Sequence, residues 1–381
     1  MKLEIFFPHL PPHSSASSLR GAAFIDAIIN SDLSFKKINV YSSEKKIFFQ
    51  NEKIKHYSVS LFSQDNTLNL FLRAISDLLL GFYLGISFFF KTKKDRLFII
   101  SSPPYFSMLI TCLFLRIRGM RYIVDVRDSY PHVLSTSGKI SSNGVVFKIL
   151  YFLNRIVFNG AYHIISATEG IDKLVHENSD NNQRTLILNG FKASSRKIDS
   201  SKHKKFSVCF HGVFGHLQDI ENLLKLVESL EEEIDFYIVG YGPKERLIKD
   251  KEHLKNLFFL GHLSHVDTIS EISKCHLGLS LRVEGVVSKD SFPVKVWEYI
   301  GLNMPCIVTP ISEAGEFITK HRIGFQYNSD DLVGIKEKII DMKSNQYQYS
   351  EIYSNLSNIG DSYSRENQAK KILEIIINSE N

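Results

Sequence analysis

Residues 290–298 read DSFPVKVWE and bring Asp290, Lys295 and Glu298 within nine positions. The segment follows the apolar run 276–280, and a helical pattern passes through Lys295 and Glu298. Residues three apart on a helix share a face, so this lysine and glutamate are expected to point into one pocket. A cation there suits phosphate oxygens, an acid suits sugar or ribose hydroxyls, and the N–H groups of a helix start suit an anion. Together they fit a nucleotide diphosphate-sugar. The same pair also occurs as an ordinary exposed i,i+3 contact worth only ~0.2–0.5 kcal/mol, so the segment takes its meaning from the chain around it.

Three more loops follow apolar strands in the same half. The first, FHGVFGHLQD at 210–219, contains Gly212 and Gly215. Glycine lets a backbone pass close to a ligand, and the helix after Asp219 offers its positive end to phosphate. The second, VGYGP at 239–243, contains Gly242 and Pro243; the third is FLGHLS at 259–264. Each alone is weak, since glycine turns after strands are common. Four in this order carry weight.

These loops need strands to hold them. Strands are predicted over 3–7, 37–41, 97–100, 121–126, 161–166 and 185–188 in the first half. The second half offers 206–210, 235–239, 257–260, 276–281, 306–309 and 324–325. Helical spacing falls at 19–29, 105–118, 220–230, 331–342 and 365–377. Strands alternating with helices indicate parallel sheets covered on both faces. The expected fold class is α/β, with two doubly wound, Rossmann-like domains facing a cleft. Residues 1–190 form the first domain and 206–360 the second, which carries the four motif loops. The polar stretch 191–205 reads as a linker, 343–361 as loose chain, and 361–381 as a last helix packing back on the first domain. Ligands of such sheets sit at the carboxyl ends of the strands, where these motifs fall.

Composition sets the remaining bounds. The chain has 381 residues, 44% hydrophobic and 23% charged, which suits two globular cores. Cys112, Cys209, Cys275 and Cys306 are scattered through apolar segments without metal-ligand or redox spacing, as for buried thiols in a reducing compartment. No metal and no cofactor beyond the donor substrate is expected. Residues 1–195 carry 23 Lys+Arg against 14 Asp+Glu, the remainder 23 against 27. A basic first half points to an anionic partner. With no basic stripe interleaved with aromatics, a membrane surface fits better than nucleic acid. The start of the chain does not read as a secretory signal. Residues 68–90 are very apolar but broken by Arg73 and Asp77, and Lys91, Lys93 and Lys94 follow. They read as a very apolar helix that is partly core, whose aromatic end next to the lysines can dip into a membrane interface, with a plain core helix as the alternative.

On these motifs the chain resembles the retaining glycosyltransferases of the GT-B fold, specifically glycosyltransferase family 4 of the bacterial surface-polysaccharide type. The strand-Gly-x-x-Gly-x-x-Gln loop, the Gly-x-Gly-Pro turn, the Phe-x-Gly-x-x-Ser step and the Pro-x-Lys-x-x-Glu-Tyr helix start all look like that family. So does SSPP at 101–104 with DVRDSYP at 125–131. The resemblance spans essentially the whole chain. It places the family's acid–seven residues–acid motif on Asp290 and Glu298, with the first acid facing the donor sugar and the second holding ribose. Asp290 stands where glutamate is usual, one methylene shorter. Ser291 replaces a frequent glycine, and its N–H and that of Phe292 are expected near the donor. Lys295 matches the phosphate-facing lysine. The first loop lacks the family's cation, with His216 as the nearest substitute. Arg127-Asp128 takes the place of a His-Asp pair on the acceptor side; Asp128 is expected to orient a hydroxyl, with His132 a weaker candidate. The glycine-rich loop after the first strand is replaced by Ser14, Ser15, Ala16, Ser17 and Ser18, followed by Arg20, with hydroxyls that can face a phosphate.

The resemblance implies an enzyme that moves a hexosyl or N-acetylhexosaminyl group, with retention, to a lipid-linked saccharide. Its setting would be O-antigen, capsule or exopolysaccharide biosynthesis, in the cytoplasm and peripherally on the inner membrane. Asp290, Lys295 and Asp128 are its expected catalytic residues, and Gly212, Gly215, Gly242, Pro243, Ser291, Phe292, Lys295 and Glu298 its donor-binding ones. Two alternatives remain from sequence: a nucleotide-sugar epimerase of the same fold, and a catalytically degenerate partner subunit.

Overall fold

The computed structural model of the chain describes residues 1–13, 15–49, 51–59, 70–91, 95–198 and 201–379. It divides into two units, Met1–Asn189 with Glu366–Asn381, and Gly190–Arg365.

In the first unit, seven parallel strands follow the order β3-β2-β1-β4-β5-β6-β7. They are β1 (Lys2–Phe6), β2 (Lys37–Ser42), β3 (Ile54–Ser58), β4 (Arg96–Ser102), β5 (Tyr122–Val126), β6 (His163–Ser166) and β7 (Arg184–Leu186). The register pairs Ile5 with Val40 on one side and with Ile99 on the other. Alternation sends Leu3, Ile5, Leu97, Ile99 and Ile123 to one face and Phe6, Phe98, Ile100, Tyr122 and Val124 to the other. The first face packs on helix Ala16–Ile29 and on Ala369, Ile372, Ile375 and Ile376 of helix Arg365–Asn378. The second packs on helices Leu70–Phe89, Tyr105–Arg118 and Val145–Gly160.

In the second unit, six parallel strands follow the order β10-β9-β8-β11-β12-β13. They are β8 (Ser207–Val213), β9 (Asp235–Tyr241), β10 (Leu257–Phe259), β11 (Leu277–Leu281), β12 (Cys306–Thr309) and β13 (Gly324–Gln326). Both sheets are therefore doubly wound. The winding reverses between β1 and β4 in one and between β8 and β11 in the other, and such switch points open a crevice at the carboxyl ends of the strands.

One expectation changes and two gain detail. Residues 343–361 are not loose: helix Gln346–Asn358 lies there, with Asn345 capping it by accepting from Gln348 N–H. Its polar surface hides the pattern, but Ile352 and Leu356 are buried. The stretch 191–205 is held down in part of its described length. Phe191 is fully buried, a short 3-10 turn runs over Ala193–Lys197, and Arg196 lies over the Phe191 ring while donating to the Ile359 carbonyl. Thirdly, the apolar helix is Leu70–Phe89, and only 22% of its 72–89 window is buried. Leu80, Leu84 and Phe88 face the sheet, while Leu72, Leu79, Phe82, Tyr83 and Ile86 are about half exposed. The helix is thus partly core, with an exposed apolar side larger than its buried one. Lys93 and Lys94 lie outside the described residues, as do 68 and 69.

Candidate active site

At the switch point of the second sheet, the carboxyl end of β8 carries His211 and Gly212, and the end of β11 runs into Arg282. Helix Val294–Gly301 packs against both. Pro293 is its N-cap, and no side chain caps its first turn. Val296 N–H bonds the Pro293 carbonyl at 3.0 Å, and the positive end of the helix is the part of the site suited to an anion.

Lys295 projects from that first turn across the end of β8. A Cβ on Gly212 would sit 3.8 Å from its Nζ. Gly212 has φ +123°, a conformation for which glycine is suited, and its bare backbone faces the ammonium. Lys295 is 8% exposed. Its Nζ donates to Gln218 Oε1 at 2.9 Å and stands 3.9 Å over the Phe210 ring. Among the described residues it forms no ion pair. Burial, aided by the Arg282 charge, pushes its pKa down to about 7.

Glu298, one turn on, is partly buried. Its two oxygens accept separately, from His211 Nε2 at 2.6 Å and from His265 Nε2 at 2.8 Å. Burial raises the carboxyl pKa, but the hydrogen bonds from His211 and His265 outweigh it and hold the group below the usual carboxylate range. His211 is held in turn by the Tyr299 hydroxyl at 3.1 Å, and burial lowers its pKa. The expected pair therefore lies on one wall, but its acid is already gripped by two histidines.

Arg282 supplies a second buried cation. It donates to Ser291 Oγ, and its backbone N–H bonds the Thr309 carbonyl at 3.1 Å. This cation and the two histidines are the residues that sequence reasoning missed. A signal existed: Arg282 directly follows the apolar LGLSL strand, and His265 follows Ser264, the cap of helix His265–Ser273. A polar residue at either place faces the carboxyl edge of a parallel sheet.

The remaining candidates distribute as follows. Gly215 turns in the first loop with open space around it. Gly242, at φ +142°, lies against the Phe214 backbone, where a Cβ would meet Phe214 N at 2.8 Å. It braces the first loop together with the bond from Phe214 N–H to the Tyr241 carbonyl at 2.7 Å. Pro243 is exposed, and so is His216. Lys244 Nζ, donating to the Gln218 carbonyl at 3.0 Å, is the cation that ties this loop. Asp290 is half-buried just ahead of the helix. Phe292 turns away, stacked on Trp297 with ring centroids 4.2 Å apart and edge-on to Phe317. Its side chain is packing.

Asp128, Arg127 and His132 belong to the first unit. Asp128 is half-buried beyond β5, and its carbonyl accepts from Tyr130 N–H at 2.9 Å. His132 sits edge-on to Phe147. Arg20 does not face a ligand. It is fully buried, paired with Asp125 at 2.8 Å and bonded to the Ile187 carbonyl at 2.7 Å. Ser15 caps the first helix and Ser18 is buried; Ser14 lies outside the described residues. No group of three His, Cys, Asp or Glu able to hold a metal ion occurs among the described residues.

Residues 191–378 match the family model of glycosyl transferases group 1. A probable glycosyltransferase, WbjE of Pseudomonas aeruginosa, is 18% identical over 296 residues, 73% of this chain and 74% of WbjE. Two solved structures share the fold over nearly their full lengths. HepE of Anabaena in complex with UDP has a TM-score of 0.71 at 11% identity, covering 99% of this chain and all of HepE. Sucrose-phosphate synthase of Thermosynechococcus elongatus has 0.73 at 10%, covering all of this chain and 99% of that one. The group 1 match, the two doubly wound units and these neighbours together support a glycosyltransferase of GT-B architecture.

Proposed function

We propose that this chain binds a nucleotide diphosphate-sugar at the second sheet and transfers its sugar, with retention, to a lipid-linked saccharide. One observation carries the reading: Lys295 is a buried ammonium whose nearest hydrogen-bond partner is a neutral amide. A buried cation bonded to a neutral amide, while the neighbouring Glu298 carboxylate is held by two histidines, is costly, so such a site gains from an anion. A diphosphate placed between Lys295, Arg282 and the positive end of helix Val294–Gly301 meets that need. HepE, the structural neighbour, has also been solved with UDP-glucose.

In this mechanism Lys295 and Arg282 stabilise the charge that builds on the departing diphosphate. One preorganised group of this kind is commonly worth ~2.7–4 kcal/mol of barrier. Glu298 holds the ribose hydroxyls, which requires at least one histidine contact to yield. Asp290 faces the sugar, and Asp128 orients the acceptor hydroxyl. Retention follows from front-face attack within a short-lived ion pair, with the leaving diphosphate itself drawing the acceptor proton.

The membrane setting rests on the first unit. Helices Leu70–Phe89 and Val145–Gly160 both pack on helix Tyr105–Arg118. They expose Leu79, Phe82 and Ile86 on one and Val145, Ile149 and Phe152 on the other, with Lys148 exposed among them. An apolar surface edged by lysine suits an anionic bilayer. We place the protein in the cytoplasm, peripheral on the inner membrane, acting in O-antigen, capsule or exopolysaccharide assembly.

The test is product analysis with UDP-, GDP- and dTDP-sugars, alone and with lipid-extracted acceptor. Sugar appearing in the lipid fraction with its anomeric configuration kept is the expected result. A donor converted to its epimer without acceptor, or nucleotide bound but never turned over, would overturn the reading.

A further inference from the structure

We propose that Gln218 is a positioning residue for the transfer: its neutral amide aims the Lys295 ammonium and leaves that charge for the diphosphate. The inference rests on the preceding reading of Lys295 as the cation that meets the donor. It adds the residue through which that cation is placed.

The backbone of Gln218 is fixed. The chain on both sides of it is tied to the end of β11: Asp219 N–H bonds the Leu281 carbonyl at 3.1 Å, and Val283 N–H bonds the Leu217 carbonyl at 3.1 Å. Between these bonds Gln218 and Arg282 pair as an isolated antiparallel bridge. Gln218 N–H donates to the Gly215 carbonyl at 3.0 Å, and the Gln218 carbonyl accepts from Lys244 Nζ at 3.0 Å. A residue held at both main-chain groups gives its side chain a defined starting point. Lysine is the opposite case. Its ammonium ends a flexible four-carbon stem and takes its place from the groups it bonds.

The second observation concerns charge. An ammonium only donates, so its partner must present an oxygen, and Gln218 Oε1 does so at 2.9 Å. The other contact is the face of the Phe210 ring, 3.9 Å away. Both hold the ammonium without neutralising it. Of the charged groups around it, Arg282 adds a second positive charge. Glu298 attracts it, but the two Glu298 oxygens are taken by His211 Nε2 and His265 Nε2. Glutamate at position 218 would keep the shape and the oxygen of glutamine yet close an ion pair on Lys295. An incoming diphosphate would then have to displace that carboxylate and be repelled by it. A neutral acceptor on a rigid loop places the cation and spares its charge.

The experiment titrates UDP, GDP and dTDP into the full-length wild type, carries the tightest of them to two variants, and follows kcat and KM with the matching nucleotide sugar. Gln218→Glu is expected to melt no lower than wild type, because its carboxylate pairs with Lys295, and to bind the nucleoside diphosphate about 10–100-fold more weakly. Gln218→Met adds no charge. It should lose less than about tenfold in affinity and lower kcat more than it raises KM, since the ammonium is no longer aimed. A glutamine that only braces the loop predicts the reverse order, because glutamate keeps its shape and its bond to Lys295 and methionine does not. Gln218→Glu melting below wild type or binding like it, or Gln218→Met binding more weakly than Gln218→Glu, overturns the proposal. The two readings fail distinguishably. A wild type that binds none of the three nucleotides sinks the donor reading and this inference with it. A wild type that binds and transfers, with Gln218→Glu doing the same, sinks this inference alone.

Discussion

Replacing Lys295 by methionine should make the protein more stable and nearly inactive, and the two effects should separate with pH. Burial lowers the lysine from 10.5 to about 7. At ~1.4 kcal/mol per unit, that sets a ceiling of roughly 5 kcal/mol on the cost of keeping the charge inside the fold. Methionine keeps the volume and the contact with Phe210 but loses the 2.9 Å bond to Gln218, worth ~1 kcal/mol, and leaves that amide oxygen unpaired. The net gain expected is about 1–3 kcal/mol, or a melting temperature higher by roughly 2–10 °C for a domain of this size. The sign follows from linkage. A lysine with a depressed folded pKa penalises folding fully below about pH 7, and the penalty fades as pH rises toward 10.5. The advantage of the variant should be largest near pH 6 and shrink by pH 9. In the same preparation kcat/KM for the nucleotide sugar should fall by about 10²–10³, the value of one leaving-group donor. Thermal melts at pH 6, 7.5 and 9, beside steady-state rates, give both quantities. A variant that melts lower than wild type at pH 6 and turns over the donor normally would refute the reasoning.

Two further outcomes follow from the first unit. Arg20→Ala leaves Asp125 buried with Arg127 only 3.8 Å away, and should cost about 3 kcal/mol; an unchanged urea midpoint would show that the pair does not matter. The triple change Leu79→Asp/Phe82→Asp/Ile86→Asp should lower partition onto anionic vesicles by at least about tenfold. Unaltered co-sedimentation would rule this face out as the membrane surface.

The elements that sequence revealed are those with a local signature. Each buried parallel strand is a short apolar run, and each glycine turn follows one, so both sheets and the nearness of Lys295 to Glu298 were legible from spacing. Strand β3, reading IKHYS, was missed because as an edge strand it is only partly buried and keeps no apolar run. Helix Gln346–Asn358 was missed because it buries few side chains under a polar surface.

The chain by itself determined the alternation of strands and helices, the loops that carry glycine and the order of acid, lysine and acid, because these depend on neighbours along the backbone. Tertiary structure decided the partners. Arg282 reaches the site from β11, His211 from β8 and His265 from the helix after β10, and no spacing rule joins residues up to 87 positions apart. It also decided that Arg20 is consumed by Asp125, 105 positions away, and that one side of the apolar helix faces outward. Long-range pairing follows strand order, and strand order is fixed only when the whole sheet closes its core.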